Sequence, residues 1–192
     1  MFDLPLEARV GSLLATGDVA AATTDVLRSL GPSILRYLRS VLRDEAAVAD
    51  AFSQCAENLW KGLPSFRGES SLRTWVLRFA RNTALNQKNE AWHRQVRRFV
   101  PGEVSRLAEE IRTTTAIRFE RQRRALDVLR EGLTHDERSL LSLRIDQELS
   151  WPEIASVMST GEHVIDAAVL MKRYERLKAR LATVAREQGL ID

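Results

Sequence analysis

Residues 149–181 read LSWPEIASVMSTGEHVIDAAVLMKRYERLKARL, and this stretch predicts two helices joined by a turn. Ser150 and Glu153 have the spacing of a capping box, and Pro152 suits the first turn of the helix that follows. The pattern predicts a short helix over 151–158, a turn around Gly161 and then a longer helix. The longer helix carries one apolar stripe, formed by Leu170, Tyr174, Leu177 and Leu181. This helix-turn-helix pattern occurs in DNA-binding domains and also as plain structure.

Two more capping boxes flank that stretch and predict further helix starts. Thr134-x-x-Glu137 comes before it, and Ser159-x-x-Glu162 marks the predicted start of the longer helix. Together the three starts indicate a second helical domain over residues 121–186.

A first helical domain is predicted over residues 12–92. Its central helix has a stripe of residues at positions i, i+4, i+7 and i+11, which predicts burial of that face: Val48, Phe52, Cys55 and Leu59. The opposite face is predicted to be an exposed, mostly acidic strip made of Asp50, Ser53, Gln54 and Glu57.

The next helix of the first domain follows a loop over residues 63–71, in which Pro, Gly and adjacent serines interrupt the helix. We expect it to bury one set of side chains: Leu72, Trp75, Val76, Phe79 and Thr83. We expect it to turn a basic, amide-rich face outward, formed by Arg73, Arg78, Arg81, Asn82, Lys88 and Asn89.

The composition favours an all-α protein made of two small helical domains joined by a basic linker. The chain has 192 residues, 44% of them hydrophobic and 29% charged, and its 9 Gly and 5 Pro are few for an all-β or disordered chain. The formal charge is only +3, but residues 93–124 contain nine arginines and four glutamates. We therefore predict a linker over residues 93–120. The alternative for residues 106–124 is a solvent-exposed helical face.

Enzymatic and membrane functions find little support in the residues. The chain lacks a phosphate-binding glycine loop and any Cys or His pair at metal-ligand spacing, so no catalytic residue, cofactor or metal is predicted. Its single cysteine, Cys55, cannot form an internal disulfide, and no apolar run approaches the ~18 residues that a membrane span needs. The N-terminus lacks the features of a signal peptide. We expect a cytoplasmic protein without membrane insertion.

Residues 63–82, LPSFRGESSLRTWVLRFARN, resemble region 2 of the extracytoplasmic-function (group 4) sigma factors of bacterial RNA polymerase. The resemblance covers about residues 18–183 in the family's two-domain order. Shorter matches are ADAF (49–52), LW (59–60), LSWPEIA (149–155) and RLK (176–178).

This resemblance implies a non-enzymatic protein that binds core RNA polymerase and promoter DNA, as duplex and as single strand. An anti-sigma factor is a common further partner in the family. The implied polymerase-binding residues are Asp50, Ser53, Gln54 and Glu57. The implied residues for the −10 element are Phe66, Arg67, Ser70, Ser71, Arg78, Arg81, Asn82 and Lys88. The implied residues for the −35 element are Glu162, His163, Asp166, Lys172, Arg173 and Arg176.

Two positions differ from the family pattern. The usual Gln-Glu pair of the polymerase-binding helix is Ser53-Gln54 here, and the early recognition helix, residues 164–169, has no Lys or Arg. Two alternatives therefore stay open beside a sigma factor. One is a stand-alone helix-turn-helix transcriptional regulator, and the other is a sigma-like protein that acts mainly through protein–protein interaction.

Overall fold

The computed structural model describes residues 5–42, 44–86, 102, 106–112, 132–160 and 163–187. The helices are α1 (Leu6–Ala15), α2 (Val19–Val41), α3 (Glu45–Gly62), α4 (Leu72–Asn86), α5 (His135–Leu141), α6 (Trp151–Met158) and α7 (Ala167–Glu187). A 3-10 turn, Leu63–Ser65, follows α3, and a π-helical segment, Ser142–Asp146, follows α5. Extended pairing within these ranges is limited to one isolated bridge between Thr160 and His163. The predicted all-α fold is confirmed.

Helices α1–α4 form the first helical group, in which α2 contacts α1, α3 and α4, and α3 contacts α4. The apolar stripe predicted on α3 is buried as expected: Val48, Phe52, Cys55 and Leu59 are each at most 2% exposed. Gly62 allows the end of α3 to approach α4 closely, because an added Cβ there would lie 2.9 Å from Cζ of Phe79. On α4, Leu72, Val76 and Thr83 are buried as predicted, whereas Trp75 and Phe79 are only half-buried.

The second helical group consists of α5–α7, and two of its three predicted helix starts are confirmed. Thr134 caps α5 and Ser150 caps α6. The backbone N–H groups of these two residues donate to Glu137 and Glu153 at 2.8 and 2.9 Å. The start predicted at Ser159 is wrong, because Ser159 ends α6 and its hydroxyl accepts from the N–H of Ile165 at 2.9 Å. Helix α7 begins only at Ala167.

The predicted linker lies largely outside the described residues. Its residues 106–112 are helical, and Leu107, Ala108 and Ile111 pack against the apolar core. Gly31 of α2 makes room for this segment, because a Cβ there would lie 2.9 Å from Cδ1 of Ile111. The described part of the linker is therefore a packed helical segment.

The two helical groups share one continuous apolar core. Helix α4 packs against α6, while α2 packs against α5 and the π-helical segment. At the contact with α5, the Tyr37 hydroxyl lies 2.8 Å from the Ser139 hydroxyl, and both residues are fully buried. Burial raises the pKa of Tyr37 well above its usual range, since no water remains to solvate a phenolate. Tyr37 is therefore a neutral hydrogen-bonding group at the junction of the two groups.

We found no helix in the described ranges with the length and apolarity that a membrane crossing requires.

Replacing Tyr37 by Phe should lower the free energy of unfolding by about 1–3 kcal/mol, because the buried Ser139 hydroxyl loses its partner across the junction. Urea denaturation followed by circular dichroism measures this change. Tyr174→Phe is the matched control, since Tyr174 is the only other tyrosine in the chain and is not fully buried. Equal unfolding midpoints for the two variants would contradict the role assigned to Tyr37.

The capping carboxylate of α6 predicts a pH dependence. Hydrogen bonds from the Ser150 side chain and backbone lower the pKa of Glu153 below its ordinary value of 4.5, and Thr74 of α4 adds another at 3.2 Å. A carboxylate whose pKa is lower in the folded state stabilises fully above its unfolded pKa and loses that contribution as the pH falls through the folded pKa. Glu153 should therefore stabilise the protein at neutral pH and lose this effect in acid.

Glu153→Gln should lower the free energy of unfolding by about 1 kcal/mol at pH 7, the usual worth of a helix cap. The difference from wild type should shrink as the pH falls below 4.5 and through the lower folded-state pKa, where the wild-type carboxylate becomes protonated. Urea denaturation at pH 7 and at a pH below 4.5 measures this difference in the free energy of unfolding. Glu187→Gln, at an exposed position, is the control. A difference that stays constant with pH would contradict this role.

Candidate polymerase and nucleic-acid surfaces

The strip on α3 predicted to bind polymerase is only partly exposed. Asp50 and Ser53 are exposed and Gln54 is half-buried, with its amide donating to the Asn58 side chain at 3.1 Å. Glu57 is only 6% exposed, so its predicted exposure is wrong. Its carboxylate is held by Lys61, one turn further along the helix. The surface that α3 offers to a partner is therefore centred on Asp50 and Ser53.

The loop between α3 and α4 brings the first four predicted −10 residues together. Arg67 and Ser71 are exposed and Ser70 is half-buried, while Gly68 has a φ of +71° that only glycine adopts easily. The Ser71 hydroxyl accepts from the N–H of Thr74 at 3.1 Å and so caps α4. The loop is a short polar segment tied to the start of α4.

An aromatic row supports this loop from one side. The Phe66 ring lies 5.3 Å from that of Trp75, which lies 4.5 Å from that of Phe79, both in tilted arrangements. All three side chains are half-buried. Phe66 therefore has one side fixed by Trp75 while retaining some exposure, as a base-stacking platform requires.

The arginines of α4 point toward the second helical group. Nε of Arg78 donates to the carbonyl of Ser156 at 3.1 Å, and its guanidinium also bonds the Ser156 hydroxyl. Arg81 pairs with Asp136 at 3.0 Å and is only 4% exposed. The outward orientation predicted for Arg81 is therefore wrong, because its side chain is buried and pairs with Asp136 in the first turn of α5.

The remaining predicted −10 residues differ in accessibility. Asn82 is exposed near the end of α4, as expected. Lys88 and Asn89 lie outside the described residues.

The predicted −35 residues lie along the start and middle of α7. Lys172, Arg173 and Arg176 are exposed, and so is His163 in the segment before the helix. Asp166 is exposed and caps α7, because its carboxylate accepts from the N–H of Ala168 at 2.6 Å. Glu162 lies outside the described residues. The cations are thus accessible, but they begin one full turn into the helix.

Apolar side chains occupy the exposed surface before those cations. Val164 is 84% exposed, Val169 42% and Met171 45%. Exposed apolar residues of this size normally mark a contact surface. The leading end of the helix-turn-helix is therefore apolar and acidic rather than basic.

A groove of about 470 Å³ lies between α5 and α7. Its floor is apolar, formed by Leu140, Met158, Leu170 and Leu177, and Arg173, Arg176 and Arg180 line it as well. Arg180 bonds the carboxylate of Glu137 at 2.7 Å. Burial raises the pKa of Glu137, but the bonds from Arg180 and Thr134 outweigh this and lower it. The groove therefore combines an apolar floor with a charged rim.

Sequence reasoning missed the residues that receive the α4 arginines. Asp136, Gln147 and Ser156 are ordinary polar residues in the sequence, with no motif that marks them as partners of another helix. Gln147 is fully buried, and both its carbonyl and its side-chain oxygen accept from Arg73, at 2.7 and 3.2 Å. Within the described ranges, no three His, Cys, Asp or Glu side chains come together as a metal site.

Comparisons with known proteins find similarity to sigma factors. Residues 26–98 match sigma-70 region 2. RNA polymerase sigma factor YlaC of Bacillus subtilis (strain 168) is 28% identical over 176 residues, which cover 87% of this chain and 95% of YlaC.

A solved structure, that of CnrH in complex with the cytosolic domain of CnrY, superposes with a TM-score of 0.64 and 18% identity. It covers 95% of this chain and 99% of CnrH, and at that identity it supports the fold alone. The stretch that carries the strongest sequence resemblance, residues 63–82, lies inside the matched region 2. The chain therefore matches sigma-70 region 2 over residues 26–98 and is similar over most of its length to an RNA polymerase sigma factor.

Proposed function

We propose that this protein binds core RNA polymerase and directs promoter-specific transcription initiation by recognising −35 and −10 elements. The match of residues 26–98 to sigma-70 region 2 carries the proposal, because it spans α3, the following loop and α4. Sigma factors have no reaction of their own. The residues must therefore supply affinity and placement, in the cytoplasm where the polymerase works.

Polymerase binding is assigned to the exposed part of α3. Asp50 offers an exposed negative charge and Ser53 a hydroxyl on the same face, while Gln54 adds a half-buried amide. Glu57 contributes by fixing Lys61 at the edge of this face. The surface suits a basic or hydrogen-bond-donating partner.

Capture of the −10 strand is assigned to the loop of residues 66–71 and the face of α4. An extruded base regains about 1–3 kcal/mol from stacking on an aromatic side chain, for which Phe66 is placed at the loop. Arg67 is exposed for phosphate contact, and the Asn82 amide is exposed for a base edge. The proposed phosphate contacts also include Arg78, Arg81 and Lys88, of which Lys88 lies outside the described residues.

Reading of the −35 duplex is assigned to α7. Lys172, Arg173 and Arg176 are exposed at a spacing that follows one side of the helix, and such cations position a helix on DNA phosphates. Asp166 and His163, with Glu162 before them, lie at the leading end, where a recognition helix reaches base edges.

An anti-sigma factor is a further proposed partner. The relevant support is the groove between α5 and α7, whose apolar floor and arginines suit an amphipathic helix with acidic residues. CnrH, which shares this fold, is in complex with the cytosolic domain of CnrY in the solved structure, and this supports a protein partner for the present chain.

One alternative function has an observation in its favour. The exposed Val164, Val169 and Met171 suit protein contact better than phosphate contact, which favours a sigma-like protein that acts through protein–protein interaction. Measurements of binding to core RNA polymerase and of promoter-dependent transcription distinguish a sigma factor from such a protein.

Asp50→Arg should weaken binding to purified core RNA polymerase by tenfold or more, because it reverses the exposed charge at the centre of the α3 face. Binding of the labelled full-length protein, measured by fluorescence anisotropy, tests this. Glu187→Arg makes the same charge change on an exposed residue at the far end of α7 and should bind like wild type. Absence of saturable wild-type binding would overturn the sigma-factor function and favour a stand-alone regulator.

Replacing both Lys172 and Arg173 by Ala should reduce promoter-dependent transcription at least several-fold, since each loses a phosphate contact. The assay is reconstituted transcription from promoters that the holoenzyme selects from a random DNA library. Binding to core polymerase should stay unchanged, because these residues lie on α7 and not on α3. Unchanged transcription would instead support the protein-interaction alternative.

A further inference from the structure

We infer that Glu7 of α1 is a positioning residue for capture of the −10 strand, because it holds the loop of residues 66–71 in place at the start of α4. The inference rests on the proposed function, which assigns strand capture to that loop. Glu7 lies outside residues 26–98, the part of the chain that matches sigma-70 region 2. Its carboxylate repels DNA phosphates, so its effect on strand binding is exerted through the loop and not through a DNA contact.

A hydrogen bond joins Glu7 to the start of α4. Its Oε1 accepts from the backbone N–H of Leu72 at 2.7 Å, although the two residues lie 65 positions apart in the chain. Leu72 is the first residue of α4 and follows Ser71, the last residue of the loop. The first backbone N–H groups of an α-helix have no partner within the helix. Glu7 therefore satisfies one of these groups at the point where the loop becomes helix.

The charge of Glu7 also suits this position. The first turn of α4 contains no acidic residue, whereas α3, α5 and α6 each have at least one in their first turn. The cap of α4 is the neutral Ser71 hydroxyl, which accepts from the N–H of Thr74 at 3.1 Å. A negative charge stabilises the start of a helix through the helix dipole. Glu7 supplies from α1 the charge that the first turn of α4 lacks.

Helix α1 is fixed to the first helical group independently of this contact. Val10 is 1% exposed and belongs to the apolar core. Nε of Arg9 donates to the carboxylate of Asp25 on α2 at 2.8 Å. Because α1 is packed against α2, Glu7 binds the start of α4 from a fixed position.

The loop is held at its two ends. At one end the Phe66 ring packs against Trp75, and at the other Glu7 binds Leu72. Residues 67–69, between these ends, are exposed. A binding loop that is already held in place loses less conformational freedom when its ligand binds. Removing the Glu7 contact should therefore weaken binding of the strand.

Positioning and simple electrostatics predict opposite effects of removing the Glu7 carboxylate. DNA phosphates are negative, so loss of a nearby negative charge would strengthen binding if Glu7 acted only through its charge. Loss of the hydrogen bond should instead weaken binding, because fewer molecules hold the loop in its binding conformation. The sign of the change in affinity therefore identifies the role of Glu7.

The test compares Glu7→Ala with Glu69→Ala, which removes the same charge from an exposed residue within the loop. Each full-length variant is assembled with core RNA polymerase. The holoenzyme is then mixed with a fluorescein-labelled single strand from a promoter that the wild-type holoenzyme selects, and anisotropy measures the affinity. We expect about fivefold weaker binding for Glu7→Ala, and binding at least as tight as wild type for Glu69→Ala.

Glu7→Gln separates the hydrogen bond from the charge. Its amide oxygen can still accept from the Leu72 N–H, so this variant should bind the strand more tightly than Glu7→Ala. Affinity for core polymerase should be equal in all variants, because the α3 face is unchanged. A general loss of structure would instead weaken core binding and strand binding together.

Amide hydrogen exchange followed by NMR tests the contact in the free protein. The Leu72 amide should exchange about tenfold faster in Glu7→Ala than in wild type, because it has lost its acceptor. Amides of the loop should also exchange faster in Glu7→Ala. Glu69→Ala should leave exchange at Leu72 unchanged.

Three results would overturn the inference. Equal strand affinity of the wild-type and Glu7→Ala holoenzymes would show that capture does not need the contact. Tighter binding by Glu7→Ala would show that Glu7 acts only through its charge. Unchanged exchange at Leu72 would show that Glu7 does not hold the start of α4. Failure of the wild type to form a holoenzyme would count against the proposed function alone, since the exchange measurement needs no polymerase.

Discussion

The guanidinium groups of α4 join the two helical groups of the molecule, and the packing of one group against the other depends on their hydrogen bonds. Their helix is fixed to the first helical group by packing against α2 and α3. Their hydrogen bonds run to the second helical group, at Gln147, Ser156 and Asp136. A buried arginine donor without a partner is unfavourable relative to its hydrated state, so these acceptors stabilise the packing of the two groups.

Local patterns predicted most of the helices well. The stripe on α3 is buried because apolar residues at helical spacing have few alternatives to a core, and the capping pairs at Thr134 and Ser150 start helices where predicted. The helix start predicted at Ser159 is wrong although the Ser-x-x-Glu spacing is present. The Ser159 hydroxyl accepts from the backbone N–H of Ile165 instead of capping a helix. Spacing identifies a possible cap, but the path of the following chain decides whether a helix begins there.

The exposure of the candidate site residues was harder to predict, because the charge of a side chain does not determine whether another part of the chain packs against it. Arg81 looked like a solvent-exposed cation, yet it is buried and pairs with Asp136, 55 residues away along the chain. Glu57 looked exposed, yet it is buried and pairs with Lys61 of its own helix. The domain boundaries and the roles of the predicted site residues remain predictions that neither the fold nor the family match tests.

Two of the contacts made by the α4 arginines end on backbone oxygens, the carbonyls of Gln147 and Ser156. A carbonyl is present whatever side chain the residue carries, so these contacts survive most substitutions at either position. During evolution the second helical group can therefore change its surface sequence while keeping its hold on α4. Related chains with dissimilar residues at these two positions would then share the packing of the second helical group against α4. An alignment of their sequences would not reveal it.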